Sequence, residues 1–251
     1  MKGFLLAAGV GTRLRPLTDT IPKCLVPIQG APLLAIWLEW CAMYGIDEIL
    51  LNSHAHSDRV REFVDVYHGP VRMTLTHEPE LLGSAGTLHV NRDFVAGEKE
   101  FAVLYADVLT NCRLDLLLDF HRLRRSSVTL GTYRVPNPAQ CGIIATDESG
   151  RVTEFIEKPQ FPKADTAFSG ILIGGPALLD CVPRKFLLTS ASMYSQNWSE
   201  RCLLFPLPIT YSISAQWKST NRRSGTGPDS WEITDLCEVR RHARLRTVRK
   251  G

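Results

Sequence analysis

Residues 3–18 read GFLLAAGVGTRLRPLT, and this stretch decides the fold. An apolar run ends in a turn built on Gly9 and Gly11, and a basic residue, Arg13, follows directly. A strand that ends in a glycine-rich turn exposes backbone N–H groups, which suits them to hold phosphate oxygens. The same pattern occurs in tight turns that bind nothing, so the turn alone leaves both interpretations open.

Two features separate this turn from better-known phosphate loops. The Gly-Lys-Ser/Thr that characterises a Walker loop does not follow it, and the third glycine of a dinucleotide fingerprint is missing.

A second candidate residue, Lys23, lies between Pro22 and Pro27. Prolines stiffen an extended segment, from which an ammonium group can be aimed as a point charge. The alternative is a solvated surface lysine.

Outward from this stretch, short apolar runs alternate with amphipathic stretches over the first 180 or so residues. This pattern predicts an α/β fold, with a Rossmann-like, mostly parallel mixed sheet flanked by helices. The predicted strands are residues 3–8, 48–52, 71–76, 101–105, 128–134, 142–146, 151–157 and 167–173. The predicted helices are residues 32–44, 57–67 and 114–125.

Composition places the chain among soluble globular proteins. Of its 251 residues, 44% are hydrophobic and 22% are charged, which is ordinary for that class. No apolar run reaches the roughly 20 residues that span a bilayer, and the first run is interpreted as a buried strand and not a signal peptide. The seven cysteines show no CxxC pairing, which favours free thiols in a cytoplasmic protein. Given the short apolar runs, no membrane contact is expected.

Five ordered motifs carry a resemblance to a known family. They are residues 9–18 with Pro22-Lys23, Glu78 with residues 82–87, residues 104–107, residues 137–143, and residues 155–159. Together they resemble the sugar-1-phosphate nucleotidylyltransferase family, and within it the mannose-1-phosphate guanylyltransferases, from residue 1 to about residue 186. The resemblance implies the nucleotide-diphospho-sugar transferase fold and transfer of a nucleotidyl group from an NTP to a sugar 1-phosphate, with release of pyrophosphate. GTP and mannose 1-phosphate are the favoured substrates, Mg²⁺ is the implied cofactor, and a homo-oligomer is compatible with the family.

The resemblance also implies roles for matching residues. Arg13, Lys23 and Asp107 would be catalytic, with Arg13 and Lys23 on the triphosphate and Asp107 as a ligand of Mg²⁺. The implied nucleotide-binding residues are Leu6, Ala7, Ala8, Gly9, Gly11, Thr12, Glu78 and Gly86. The implied sugar-phosphate-binding residues are Gly142, Glu157, Lys158 and Ser169. A hard dication that bridges carboxylate and phosphate oxygens fits a lone aspartate better than the histidines or cysteines of this chain.

Two positions depart from the family pattern. Val108 follows Asp107, where relatives often have a polar residue, so the surroundings of the metal are expected to differ. Phe168-Ser169-Gly170 stands where many relatives have Asn-Ala-Gly near the sugar. His54 and His56 have the spacing of a ligand pair, but a surface strand end is the expected interpretation.

The chain divides into a nucleotidyltransferase domain, 1–188, and a basic tail, 189–251, that is expected to be irregular and not to continue the sheet. The tail holds ten Lys/Arg against five Asp/Glu, whereas residues 1–188 hold 19 against 21. A basic arm can bind nucleic acid, but no aromatic and basic pattern accompanies this one, so no nucleic acid partner is expected.

A frameshift near codons 186–189 explains the basic, aperiodic sequence of the tail better than a nucleic-acid-binding arm does. When residues 189–201 are back-translated and read one base earlier, they can give Asp-Ile-Gly-Phe-Asp-Val-Phe-Pro-Lys-Leu-Val-Gly-Ala. Residues 213–221 can give Asp-Ile-Gly-Thr-Met-Glu-Lys-Tyr-Gln, and the genetic code forces three of the junctions. The displayed frame lacks the family's second metal-binding aspartate, near Ser214. The alternative function is therefore a catalytically impaired homologue that binds nucleotide and sugar phosphate.

Overall fold

Short strands and helices alternate along the chain, as the apolar pattern predicts. The computed structural model describes residues 1–181, 202–206 and 210–212. Its strands are β1 (Lys2–Leu6), β2 (Pro27–Ile28), β3 (Ala31–Pro32), β4 (Glu48–Ser53), β5 (Arg72–His77), β6 (Phe101–Tyr105), β7 (Val108–Thr110), β8 (Val128–Arg134), β9 (Gly142–Thr146), β10 (Val152–Glu157), β11 (Thr166–Gly174), β12 (Cys202–Pro206) and β13 (Thr210–Ser212). Its α-helices are α1 (Leu33–Met43), α2 (Ser57–Val66), α3 (Gly83–Val90), α4 (Leu114–Leu123) and α5 (Pro176–Cys181).

One large mixed sheet organises these elements. Its strand order is β10-β9-β11-β6-β1-β4-β5, and β8 joins it beside β11. Strands β6, β1, β4 and β5 are parallel neighbours, and α1 and α2 provide the crossovers that parallel pairing requires. Strand β11 runs antiparallel to β6, β8 and β9. The expected Rossmann-like sheet flanked by helices is confirmed.

Successive residues of the central strands belong to two different cores. Leu5 and Leu51 pack in the core that contains residues of α1, α2 and α4. Phe4 and Leu50 pack in the core that contains residues of α3 and α5. Because both faces of the sheet are covered at its centre, the middle residues of β1, β4 and β6 are apolar without alternation. This explains why continuous apolar runs mark these strands in the sequence.

Helix α3 is an element that the sequence pattern missed. Its residues include Gly83, Ser84, Gly86 and Thr87, which have low helix propensity and no clear apolar stripe. Tertiary packing stabilises it instead, since Leu88 is fully buried in the core beneath the sheet.

Two pieces of the tail form strands, and one of them, β12, corrects the expectation that nothing after residue 188 continues the sheet; β13 forms a separate two-stranded sheet. Strand β12, which reads CLLFP, pairs in parallel with β8, with Cys202 opposite Val128. Strand β13 pairs with β7, with Thr210 opposite Thr110. An apolar run can occupy a free sheet edge whatever its origin. The rest of 189–251, including 189–201 and 213–221, lies outside the described residues.

Candidate active site

Four parallel strands end at one edge of the sheet, and polar or glycine-rich sequence follows each of them. Strand β1 leads into residues 7–11, β4 ends on Asn52 and Ser53, Glu78 follows β5, and Asp107 comes two residues after β6. Open α/β sheets place ligands at the carboxyl ends of their strands. The topology therefore locates a candidate site at this edge.

The loop after β1 is held from within by two hydrogen bonds to the carbonyl oxygen of Gly11. Thr18 donates its hydroxyl at 2.8 Å, and the amide of Leu14 donates at 2.9 Å. Gly11 has φ +69°, and a Cβ added there would lie 2.9 Å from Thr18 Cγ2. Gly9 is different, because a Cβ there would meet nothing within 4 Å. Gly11 is thus needed for the loop's shape, while Gly9 leaves open space on its surface.

Lys23 and Asp107 form an ion pair at the centre of the site. Lys23 Nζ lies 2.5 Å from Asp107 Oδ2, and the lysine side chain is 10% exposed. The interpretation of Lys23 as a solvated surface lysine is therefore wrong. Its segment is also not extended: Pro22 is extended, but Lys23–Leu25 forms a short 3-10 helix in which the amide of Leu25 donates to the carbonyl of Pro22.

Glu78 lies in a buried hydrogen-bond network beside these residues. Its carboxylate accepts from Asn52 Nδ2 at 2.8 Å, from the Thr87 hydroxyl at 2.5 Å, and from the amide of Leu82 at 3.2 Å. Glu78 is only 2% exposed. Three donors therefore engage the carboxylate that the family resemblance assigns to the nucleobase. Sequence reasoning did not single out Asn52 or Thr87.

A cleft of about 230 Å³ lies over this network and the ion pair. Its lining is Leu6, Ala7, Ala8, Gly9, Lys23, Cys24, Asn52, Glu78, Leu81, Gly83, Ser84, Tyr105, Ala106 and Asp107. Seven of the residues named from the sequence are thus brought together. Four others are not in the lining: Gly11, Thr12 and Arg13 lie further along the loop, and Gly86 is buried in α3. Tyr105 and Ser84 belong to the quoted motifs but had no role assigned; both line the cleft, and the Tyr105 hydroxyl donates to Ser84 Oγ at 2.8 Å.

The residues assigned to the sugar phosphate lie on β9, β10 and the turn that follows. A Cβ added to Gly142 would lie 2.9 Å from Glu157 Oε2 and 2.8 Å from Phe155 Cζ, so glycine is what admits the Glu157 carboxylate. Lys158 has φ +49° and its Nζ lies 3.3 Å from Glu157 Oε1. Ser169 is 1% exposed, and its hydroxyl accepts from the amide of Ile171. A direct contact of Ser169 with a sugar stays a prediction.

Electrostatics connect this sugar side to the loop. Burial raises the pKa of the Cys141 thiol, while a hydrogen bond from Tyr133 and the charges of Arg13 and Lys158 lower it. Burial also raises the pKa of Tyr133 to about 12, and the negative charge of Asp107 contributes. Arg13 and Lys158 therefore act on Cys141, and Asp107 acts on its hydrogen-bond partner Tyr133.

The histidine pair is structural. His54 Nδ1 lies 2.7 Å from the carbonyl oxygen of Glu78, and His56 Nε2 lies 3.2 Å from that of Thr18. These ring nitrogens therefore donate to main-chain oxygens and are not available to a metal. Within residues 1–181, 202–206 and 210–212, no group of three or more His, Cys, Asp or Glu side chains could hold a metal ion. Ser214, near the place of the family's second aspartate, lies outside these ranges.

The chain belongs to the nucleotidyl transferase family, because the sequence profile of that family matches residues 2–183. It is similar to mannose-1-phosphate guanylyltransferase 1 of Arabidopsis thaliana, with 33% identity over 185 residues, or 72% of this chain and 51% of that protein. Mannose-1-phosphate guanyltransferase beta-B of Xenopus laevis is also 33% identical, over 184 residues, with the same shares. The chain thus spans about half the length of the curated relatives it matches.

A solved structure shows the same fold. It is described as a candidate glucose-1-phosphate thymidylyltransferase from Bacillus anthracis in complex with a sucrose. The TM-score is 0.76 at 20% identity, and the match covers 91% of this chain and 98% of that one. None of the helices in the described ranges is long and apolar enough to cross a membrane.

Proposed function

We propose that this chain transfers a nucleotidyl group from an NTP to a sugar 1-phosphate and releases pyrophosphate. The observation that carries the proposal is the Lys23–Asp107 pair, set in a cleft at the carboxyl ends of parallel strands. GTP and mannose 1-phosphate are the favoured substrates, since the similar curated proteins are named mannose-1-phosphate guanylyltransferases. The pair offers both a positive group for phosphate oxygens and a carboxylate for a cation.

In this mechanism the protein contributes alignment and positive charge. A phosphate oxygen of the sugar phosphate is already ionised, so it can attack the α-phosphorus without a general base while pyrophosphate leaves. Lys23 and Arg13 neutralise charge that develops on the phosphate oxygens, and the open surface at Gly9 lets the chain of phosphates approach the backbone. Glu157 and Lys158 hold the sugar hydroxyls and the sugar's phosphate.

The donor set around Asp107 fits Mg²⁺ that arrives together with phosphate. Mg²⁺ commonly takes one or two carboxylates plus substrate phosphate oxygens and waters. Asp107 supplies such a carboxylate, 39% exposed and next to the cleft. When bound, the ion would neutralise triphosphate charge. Asp107 Oδ2 also pairs with Lys23 Nζ.

The test is a matrix of substrates. GTP, dTTP, UTP and CTP are each combined with mannose, glucose and heptose 1-phosphates, with Mg²⁺ present, and pyrophosphate release is measured. We expect the highest rate with GTP and mannose 1-phosphate. Asp107→Asn is the matched control, because it keeps the size of the side chain and removes its charge. Failure of every pair to release pyrophosphate, with equal failure to bind any NTP, would refute the proposed function.

A second candidate is a homologue that binds the same ligands without turnover. It is favoured by the single carboxylate, Asp107, at the cation position of the described cleft. Equilibrium titration separates the two candidates: NTP binding without pyrophosphate release supports the second one.

A frameshift near codons 186–189 remains our proposal for the origin of the tail. The family match ends at residue 183, next to that position, which supports the division into 1–188 and 189–251. Sequencing of the gene tests this proposal: it is contradicted if the only unbroken family-like reading frame is the one that encodes this chain.

We also propose that the protein is cytoplasmic, in keeping with the free thiols of Cys24, Cys41, Cys112, Cys141 and Cys202. A homo-oligomer is a further proposal.

A further inference from the structure

One buried amide, that of Asn52, joins three segments that form the walls of the cleft. Its Oδ1 accepts from the backbone amide of Ala7 at 2.6 Å. Its Nδ2 donates to Glu78 Oε1 at 2.8 Å and to Thr87 Oγ1 at 3.1 Å. Asn52 is 4% exposed. A single side chain therefore connects the end of β1, the residue after β5, and helix α3.

The chemistry of the partners fixes the orientation of this amide. A backbone N–H can only donate, and an ionised carboxylate can only accept. The oxygen of Asn52 must therefore face Ala7, and its nitrogen must face Glu78. Neither aspartate nor leucine can replace asparagine here without the loss of at least one of these hydrogen bonds.

Asn52 acts where regular sheet pairing stops. The parallel ladder between β1 and β4 ends with Leu6 opposite Asn52, so the amide of Ala7 lies beyond it. Beyond the ladder, the Asn52 side chain accepts the hydrogen bond from the amide of Ala7, the first residue of the loop. On the opposite side, the connection continues through Glu78, whose Oε2 accepts from the amide of Leu82. The amide thus links residues 7–9 on one wall to residues 81–84 on the other.

We propose that Asn52 is a positioning residue that sets the separation of the two walls that grip the nucleotide. The inference rests on the proposed function, because the ligand between the walls is the NTP. The hydrogen bonds of Asn52 go to Ala7, Glu78 and Thr87, and none of them goes to Gly142 or Glu157 on the sugar side. Loss of Asn52 is therefore expected to weaken nucleotide binding and to leave the sugar-phosphate affinity unchanged.

The experiment uses the full chain and four variants. Asn52→Leu removes every hydrogen bond of the side chain at similar volume. Asn52→Asp keeps an acceptor for the amide of Ala7 but places a second carboxylate next to that of Glu78. The double variant N52D/E78Q exchanges the amide and the carboxylate between the two positions, so the net charge stays that of the parent. Ser53→Ala is the matched control, because the Ser53 hydroxyl is buried at the same strand end but bonds to the carbonyl of Thr76, away from the cleft.

Two readouts are measured for each variant. The first comprises the equilibrium affinity for GTP with Mg²⁺ and the KM for mannose 1-phosphate. We expect N52L and N52D to lose about 10-fold or more in GTP affinity, with a KM for mannose 1-phosphate within about 2-fold of the parent. Ser53→Ala should match the parent, and N52D/E78Q should bind GTP better than N52D. The second readout is hydrogen exchange of the Ala7 and Leu82 amides without ligand, expected to be about 10-fold faster in N52L than in S53A.

The outcomes separate this inference from the proposed function. If the parent chain binds no NTP, the proposed function fails, and the exchange rates still test Asn52. Unchanged exchange at Ala7 in N52L, or equal losses for GTP and for mannose 1-phosphate, overturns the positioning role. If N52L does not fold, amide exchange at Ala7 and Leu82 in N52D/E78Q decides the matter, because this readout does not depend on a contact of Glu78 with the nucleobase. Exchange as fast as in N52D overturns the inference.

Discussion

Replacement of Gly11 by alanine tests the geometry of the loop that follows β1. Two costs add in this variant. Gly11 has φ +69°, where a residue with a Cβ costs about 1–2 kcal/mol. The new Cβ would also lie 2.9 Å from Thr18 Cγ2 and 3.4 Å from Lys23 Cβ, and overpacking of this kind costs about 1–3 kcal/mol. We expect Gly11→Ala to lower the free energy of unfolding by the sum of the two costs, about 2–5 kcal/mol.

Two further variants separate the two costs. Gly30 has φ +81°, and a Cβ there would meet nothing within 4 Å, so Gly30→Ala has the backbone cost alone, about 1–2 kcal/mol. Thr18→Ser removes the methyl group that clashes but keeps the hydroxyl that bonds to Gly11. In the Thr18→Ser background, Gly11→Ala should therefore cost close to what Gly30→Ala costs.

The assay is urea unfolding followed by tryptophan fluorescence, with all variants measured at one pH and temperature. The coupling between Gly11→Ala and Thr18→Ser should be about 1 kcal/mol or more. If Gly11→Ala costs no more than Gly30→Ala, or if the two changes are additive, the steric argument is refuted.

Three other predictions concern the site and the core. Lys23→Met should lower kcat/KM for the NTP by about 100-fold or more, because it removes the ammonium that, in the proposed mechanism, neutralises charge on the phosphates. A loss below about 3-fold in pyrophosphate release would contradict this. Gly142→Ala should displace the Glu157 carboxylate and raise the KM for sugar phosphate about 10-fold, while an equal rise in the KM for NTP would show that the effect is not local. His121 is 6% exposed and burial lowers its pKa, so the unfolded chain binds more protons below about pH 6.5. The free energy of unfolding should therefore decrease as the pH is lowered from about 7 to about 5, and this decrease should be smaller in His121→Phe. An equal decrease in His121→Phe would rule out His121 as its cause.

The sheet could be predicted because its strands are covered on both faces. Runs such as Phe4–Leu5 and Ile49–Leu51 are apolar throughout, which is typical of buried parallel strands. The polar residue that ends each run, Asn52 or Asp107, also follows from the pattern. Helix α3 could not be predicted, since its sequence favours a loop and only tertiary contacts make it helical.

Sequence reasoning could name several residues of the cleft, but it could not predict the hydrogen bonds and the ion pair that join them. The resemblance named Lys23, Asp107 and Glu78, and the structure brings all three to one edge. It could not show that Lys23 is buried against Asp107, or that the Glu78 carboxylate is engaged by internal donors. Such partners come from distant parts of the chain: Asn52 is 45 residues from Ala7 and 26 from Glu78. Spacing along a sequence does not specify which of many polar groups will meet.

The ion pair between Lys23 and Asp107 has a consequence for the order in which ligands enter. Under the proposed function, a bare dication that approaches the Asp107 carboxylate competes with an ammonium that lies 2.5 Å from Oδ2. A dication already attached to a triphosphate meets less competition, because the phosphate oxygens give the ammonium a new partner as it leaves. Under the proposed function, the pair therefore favours the metal–nucleotide complex over either component alone.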